Sequence, residues 1–195
     1  MIFGIRTKYD NNFSIQEMEE MEIQLKCSVL TQDERLVKCS DAIALCKELK
    51  LQVEYEENMG DDEAKLVHSA DEQYNGKIIL LKDLKSFKFA CVHEIIHYIF
   101  DVGYGKKVPI GACYPRKRKG KTTDIAEQKT NYLTAAYTMP YREMLDEIER
   151  FDTSSPKMDI QIFLRNLSDK YQQSKVAVVR RIREVRRLSK AQVKI

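Results

Sequence analysis

The N-terminal quarter of the chain carries apolar residues at helical spacing. Ser14-Ile15-Gln16-Glu17 has the form of a capping box, which predicts the start of a helix. The apolar residues that follow suit an amphipathic helix better than a strand: Ile15, Met18, Met21, Ile23 and Leu25. A second amphipathic helix is predicted from about Asp33 to Lys50, so we expect two N-terminal helices.

After residue 50 the apolar pattern changes to a period of two. Leu51 to Tyr55 alternates as a half-buried strand should, and residues 64–69 and 77–81 look similar. Asn75-Gly76, between the last two segments, is typical of a tight turn. These segments predict a small antiparallel sheet.

An apolar helix is predicted next, starting near Asp83 or Ser86, running to about Asp101 and ending at Gly103. Its apolar residues fall on more than one side, so it should be central and buried. Residues 103–123 then break every periodic pattern and end in a basic run, 116–121. We interpret them as a long, disordered loop with solvated charge, although a basic cluster is also suited to bind nucleic acid or an acidic protein surface.

The C-terminal third reads as four helices. Residues 124–137 and 140–151 are helical in pattern and are separated by Met139-Pro140, and 153–156 punctuate the chain. Two further apolar stripes follow: Ile160, Phe163, Leu164 and Leu167, then Val176, Val179, Ile182, Val185 and Leu188. Their join is short, with Ser174 as a predicted N-cap, which favours a helix-turn-helix-like pair.

Length and composition favour one domain with a small appendage: the chain has 195 residues, which we divide into 1–151 and 157–195. No charged leader and no apolar run near the roughly 20 residues of a membrane span is evident, so we expect a cytoplasmic protein. Five scattered cysteines fit reduced thiols. They are Cys27, Cys39, Cys46, Cys91 and Cys113.

The formal net charge of +3 conceals an asymmetry. Residues 10–63 are predominantly acidic, whereas residues 171–195 are predominantly basic. This pattern indicates either different partners for the two ends or docking of one end onto the other. For the acidic half we favour a solvated face.

His93-Glu94-Ile95-Ile96-His97 is the main chemical signal in the chain. On a helix, this spacing puts both imidazoles on one face, about one turn apart, where they can bind one metal ion. A zinc ion held by two histidines and one further ligand keeps a position for water and acidifies it. Glu94 lies beside His93 and is the candidate general base.

The third ligand has two candidates. His68, the remaining histidine, lies in a predicted strand. Glu127 opens the helix that follows the loop and is the better candidate, but Asp124-Ile125-Ala126-Glu127 is also a capping pattern. Spacing alone leaves the ligand and the capping interpretations of Glu127 equal.

The segment from Phe89 to Tyr98, followed by Glu127, Asn131, Ala135 and Met139-Pro140, resembles the ImmA/IrrE family of metallopeptidases. The likeness extends to the 76–80 strand and, more loosely, to the C-terminal helix pair. It implies an α+β, zincin-like fold, zinc bound by His93, His97 and Glu127, and Glu94 as general base. It also implies that the substrate is a helix-turn-helix repressor of a mobile element or stress regulon. Ile96 departs from the glycine usual in the family.

A regulatory DNA-binding protein with a structural or vestigial metal site is the alternative. The arginines near the C-terminus fall all round the last predicted helix rather than on one face, which argues against a recognition helix. They are Arg180, Arg181, Arg183, Arg186 and Arg187. We therefore expect them to dock a protein substrate more than DNA. Tyr98, Tyr132 and Tyr137 are conceivable oxyanion donors, but packing is the favoured role for each.

Overall fold

The computed structural model describes residues 14–25, 41–84, 86–103, 105–117, 124–154 and 159–192. Its elements are, in chain order, α1 (Ile15–Leu25), α2 (Ala42–Glu48), β1 (Leu51–Glu56), β2 (Asp62–Val67), β3 (Gly76–Leu81), α3 (Phe87–His97), a π-helical segment (Tyr98–Gly103), β4 (Cys113–Lys117), α4 (Ile125–Thr138), α5 (Tyr141–Thr153), α6 (Ile160–Tyr171) and α7 (Lys175–Gln192). The fold is α+β, with a small four-stranded sheet, and the predicted zincin-like class is confirmed.

The sheet is mixed, with strand order β1-β3-β2-β4. β2 pairs antiparallel with both β3 and β4, as predicted for the sheet, but β3 pairs with β1 in parallel. The expectation of antiparallel pairing throughout is corrected at this one pairing. Ile78, Ile79 and Leu80 are consecutive and buried, which suits an inner strand covered on both faces. β4 is the edge strand nearest α3.

The tight turn predicted at Asn75-Gly76 is wrong. Residues 68–75 form a longer connection between β2 and β3, and Asn75 instead fixes the end of α2. Its backbone N–H donates to the Lys50 carbonyl at 2.7 Å and its side-chain amide donates to the Leu49 carbonyl at 3.0 Å. Position 76, the first residue of β3, requires glycine because a Cβ there would lie 2.6 Å from a Val108 methyl carbon.

The predicted long loop contains β4, which the sequence did not indicate. Along this strand the residues alternate: Ala112, Tyr114 and Arg116 are half-buried, whereas Cys113 and Pro115 are exposed. A five-residue edge strand that includes a proline and basic residues lacks the apolar alternation by which strands are identified. Of the basic run 116–121, residues 118–121 lie outside the described part of the chain.

The central helix is confirmed. In α3 every residue from Phe89 to His97 is buried. Ser86 precedes it without a side-chain capping bond, and the helix continues as π-helix to Gly103, whose φ of 101° is the positive value expected at a glycine terminator.

The predicted helix ends agree with the structure in most places. Ser14 and Glu17 form the reciprocal capping box, with the Ser14 N–H 2.7 Å from the Glu17 carboxylate. Met139-Pro140 separates α4 from α5, and Ser174 caps α7 through the Ala177 N–H at 3.2 Å. α2 begins at Ala42, and residues 33–40 of its predicted range lie outside the described residues.

The acidic first helix docks onto the basic last helix, so the solvated face favoured for the acidic half is wrong for α1. The Glu22 carboxylate is 1% exposed and accepts hydrogen bonds from the Arg181 guanidinium and the Tyr132 hydroxyl. Arg181 also donates to the Met139 carbonyl at 3.0 Å, and Arg187 pairs with Glu19. α1, α4 and α7 are thereby joined around one buried charge pair.

The apolar stripe predicted for α7 is wrong in part. Val178, Val185 and Leu188 are buried, as is Arg181, whereas Val176 is 76% exposed. The buried face of α7 includes the charged Arg181. The predicted stripe left it out because arginine is normally a surface residue. α6 and α7 share an apolar core with α5 that includes Met144, Ile148, Phe163, Leu167, Val178 and Val185.

None of the described helices is both long enough and apolar enough to cross a membrane. Cys46 and Cys91 are buried with their Sγ atoms 3.6 Å apart, and Cys113 is exposed; all three are free thiols. Cys27 and Cys39 lie outside the described residues.

Candidate metal centre

His93 and His97 lie one turn apart on α3, as their spacing predicts. Their side chains are almost fully buried, and their Nε2 atoms lie 3.1 Å apart. The imidazoles meet edge to face with centroids 4.8 Å apart. Two buried ring nitrogens that converge on one point can provide two of the ligands of a metal ion.

Glu127 supplies the third group from the first turn of α4. Its carboxylate oxygens lie 3.3 Å from His93 Nε2 and 2.8 Å from His97 Nε2. Asp124 carries out the capping, since its side chain accepts from the Ala126 N–H at 2.8 Å. The Glu127 carboxylate therefore lies against the histidines while its neighbour caps the helix.

His68 is not part of this group. Its Nδ1 lies 2.8 Å from the Val108 carbonyl oxygen, so the ring helps to hold the segment that precedes β4. Among the described residues, His93, His97 and Glu127 are the group of ionisable side chains suited to hold a metal ion.

The donor set fits zinc. Two imidazole nitrogens and one carboxylate oxygen are ordinary zinc ligands, and bonds of about 2.0–2.1 Å in tetrahedral geometry put donor atoms about 3.3 Å apart. Here the two Nε2 atoms lie 3.1 Å apart, and the two oxygens of the Glu127 carboxylate lie 3.3 Å from His93 Nε2 and 2.8 Å from His97 Nε2, respectively. The side chains are thus already spaced for a small tetrahedral cation, and three protein ligands leave a fourth position open.

Asp101 orients the second histidine. Its Oδ2 accepts a hydrogen bond from His97 Nδ1 at 2.6 Å, which fixes the ring so that Nε2 points to Glu127. A carboxylate behind a metal-binding histidine sets the tautomer and strengthens the ligand. Asp101 was not among the predicted site residues, although its position four residues after His97 was a usable signal.

Electrostatics divide the two imidazoles. Burial lowers the pKa of His93 to about 4, so this ring is neutral near pH 7. Burial also disfavours charge on His97, but hydrogen bonds to Asp101 and Glu127 raise its pKa to about 10. Burial works against the charge of Glu127 as well, yet hydrogen bonds to His93 and His97 hold its pKa below the usual range. A cation at this point would replace the proton on His97.

Glu94 lies on α3 beside the histidines and is completely buried. Neither of its carboxylate oxygens has a hydrogen-bond partner in the part of the chain that the structure describes. Burial raises its pKa to about 8. This carboxyl group is buried, its oxygens make no hydrogen bond among the described residues, and its pKa lies near neutral pH. Such a group is suited to exchange a proton with a reacting group.

β4 covers the metal-bearing face of α3 with two side chains that the sequence did not single out. The Tyr114 ring stacks on His97 at a centroid distance of 5.7 Å. Arg116, expected to be solvated, has a side chain only 17% exposed, and its guanidinium lies 4.5 Å from the centroid of the Phe89 ring. Its Nε lies 3.3 Å from a Glu63 oxygen.

The model of the peptidase M78 family, described as the IrrE N-terminal-like domain, matches residues 46–183. This span includes the sheet, both metal-bearing helices and most of the C-terminal pair. No curated protein matches the chain.

Proposed function

The chain belongs to the peptidase M78 family, and on this premise we propose that it is a zinc-dependent endopeptidase of the cytoplasm. The observation that carries the proposal is the convergence of His93, His97 and Glu127 beside a buried Glu94 that has no partner. A purely structural zinc site has four protein ligands and no use for an adjacent free carboxylate.

In this proposal the metal is held by His93, His97 and Glu127. Bound zinc would supply a Lewis acid that polarises the scissile carbonyl and acidifies water. Glu94 takes the proton of the attacking water and returns it to the leaving amine. Asp101 keeps His97 in the orientation that directs Nε2 towards the ion.

An extended peptide is the substrate form that the sheet favours. β4 is an edge strand next to α3, so a peptide can add to it through main-chain hydrogen bonds and pass over the metal-bearing face. A peptide that pairs along a strand edge can continue in both directions, which supports an endopeptidase.

We propose that the substrate is a helix-turn-helix repressor, as the resemblance to the ImmA/IrrE family implies. A groove of about 630 Å³ between α6 and α7 supports docking of such a protein. Arg180 and Arg183 line it beside the apolar Val176 and Val179. Basic and apolar groups together fit an acidic, amphipathic protein surface.

The regulatory DNA-binding alternative has weaker support. Arg181, Arg186 and Arg187 are paired with Glu22, Asp152 and Glu19 of this same chain, so they are occupied. Of the remaining basic residues of α7, Lys175, Arg180 and Arg183 line one groove together with Val176, Val179 and Glu184, and this mixed lining fits a protein surface better than a phosphate backbone.

The experiment combines metal analysis with a cleavage assay. The purified full chain is assayed for zinc and incubated with purified helix-turn-helix repressors of its own organism, beginning with any that is encoded next to its gene. We expect about one zinc per chain and cleavage that falls by roughly 10²- to 10⁴-fold in Glu94→Gln, which keeps the zinc but cannot accept a proton. Glu48→Gln, an exposed change on α2, is the matched control. Undiminished cleavage by Glu94→Gln would remove the proposed chemistry.

A further inference from the structure

Arg116 brings an unmet hydrogen-bonding capacity to the metal centre. Its Nε and Nη1 atoms are buried, and neither has a hydrogen-bond partner in the part of the chain that the structure describes. The contact with Glu63 is an ion pair in which Nε lies 3.3 Å from a carboxylate oxygen, longer than a well-formed charge-assisted hydrogen bond. Buried guanidinium donors without acceptors are costly, so these donors are available to an oxygen atom that approaches this side of β4.

The place of Arg116 in the sheet puts these donors on the side of β4 that faces the metal-bearing helix α3. Tyr114 and Arg116 share the inner face of β4, and Tyr114 stacks on His97. Arg116 lies over Phe89, one turn before His93 on the same helix.

Two of the tyrosines considered as oxyanion donors make hydrogen bonds elsewhere in the fold. The Tyr98 hydroxyl accepts a hydrogen bond from the Gly105 N–H at 3.1 Å, and its ring is completely buried. The Tyr132 hydroxyl donates to Glu22 in the brace between α1 and α7. Arg116 carries a full charge and lies on the strand that we expect to align the substrate.

We propose that Arg116 is the oxyanion-stabilising residue of the peptidase, with its guanidinium donating to the scissile carbonyl oxygen as that oxygen gains charge. When water adds to the carbonyl carbon, the π electron pair moves onto this oxygen and the water proton moves to Glu94. When the C–N bond breaks, the pair returns and the amine takes that proton. The inference rests on the proposed function and adds a catalytic residue to it.

The test measures anion binding on the cobalt-substituted full chain, followed by visible absorption. Inorganic phosphate serves as a tetrahedral oxyanion, and imidazole serves as a neutral ligand of the same metal. We expect Arg116→Gln to weaken phosphate binding about tenfold or more, because it removes a charge-assisted donor, and to leave imidazole binding unchanged. Arg150→Gln, an exposed change on α5, controls for net charge.

Glu63→Gln separates the catalytic from the structural role. If Arg116 serves only its ion pair, removing either partner has the same effect; in our proposal Glu63→Gln keeps phosphate affinity at or above that of the wild type. Equal loss in Glu63→Gln and Arg116→Gln overturns the inference, as does phosphate affinity that Arg116→Gln leaves unchanged.

Arg116→Lys guards against a variant that does not fold. It keeps the charge but loses the planar fork, so we expect phosphate affinity to fall at least about threefold. Unchanged affinity in this variant overturns the inference. If the variants bind metal and imidazole normally and phosphate affinity does not depend on Arg116, this inference alone is refuted. If the wild-type chain takes up no metal, the inference and the proposed function are refuted together.

Discussion

Asp101 makes a prediction that separates a metal-orienting carboxylate from a surface one. The perturbation is Asp101→Asn, which keeps the size of the side chain and a carbonyl acceptor but removes the charge. In the structure the carboxylate lies 2.6 Å from His97 Nδ1; His97 is almost fully buried and the Asp101 side chain is 20% exposed, so solvent screens this contact only in part.

The magnitude follows from two opposed effects. Loss of a partner behind a metal-binding histidine typically costs 10- to 100-fold in metal affinity, about 1.4 to 2.7 kcal/mol. Asp101 also stabilises the proton on His97, which zinc must displace. Its removal makes that displacement easier and offsets part of the loss in zinc affinity. We therefore expect the lower end of the range, with zinc affinity reduced about tenfold.

The assay is competition for zinc between the full chain and a chromophoric chelator at fixed pH. Asp152→Asn is the matched control, because it removes a half-exposed carboxylate that pairs with Arg186 far from the metal centre. Zinc affinity should be unaltered in the control. If Asp101→Asn binds zinc as tightly as the control does, the contact with His97 does not tune the site and the argument is refuted.

Three further predictions concern the remaining groups. Glu127→Gln should lower zinc affinity at least about tenfold while the melting temperature changes by only a few degrees, since Asp124 caps α4; a lower melting temperature with unchanged affinity would favour the capping role. Glu22→Gln leaves a buried arginine charge without its main partner and should cost about 3 kcal/mol, or about 6–12 °C in melting temperature, measured calorimetrically; a shift below about 2 °C would contradict this. The double variant Arg180→Gln/Arg183→Gln should weaken repressor cleavage, most strongly at low salt, through a higher KM; unchanged cleavage at all salt concentrations would exclude docking through this groove.

The sequence predicted the features that depend on local pattern. The spacing of His93 and His97 placed both rings on one helix face, and the capping boxes and Met139-Pro140 placed helix ends. Spacing left Glu127 undecided between two roles, because a capping carboxylate and a ligand look alike along the chain. Only the packing of α4 against α3 directs its carboxylate to the histidines.

The features that were missed depend on partners distant along the chain. Arg116 looked solvated because its ion-pair partner Glu63 lies on another strand and the Phe89 ring that it covers lies on α3. Arg181 looked like one of several surface arginines, yet Glu22 makes it a core residue. The parallel pairing of β1 with β3 likewise cannot be inferred from either strand, since it depends on how β2 is placed beside them.

The brace between Glu22 and Arg181 also constrains the order of folding. The two residues are 159 positions apart, and closing a loop of that length costs about 4 to 5 kcal/mol in chain entropy. During synthesis α1 emerges first and α7 last, so Glu22 and the Tyr132 hydroxyl wait for the arginine until nearly all of the described chain has been made. Tyr132 lies on the helix that carries Glu127. We therefore expect Glu127, the third metal ligand, to reach its final position only after α7 has left the ribosome, and metal uptake to follow that step.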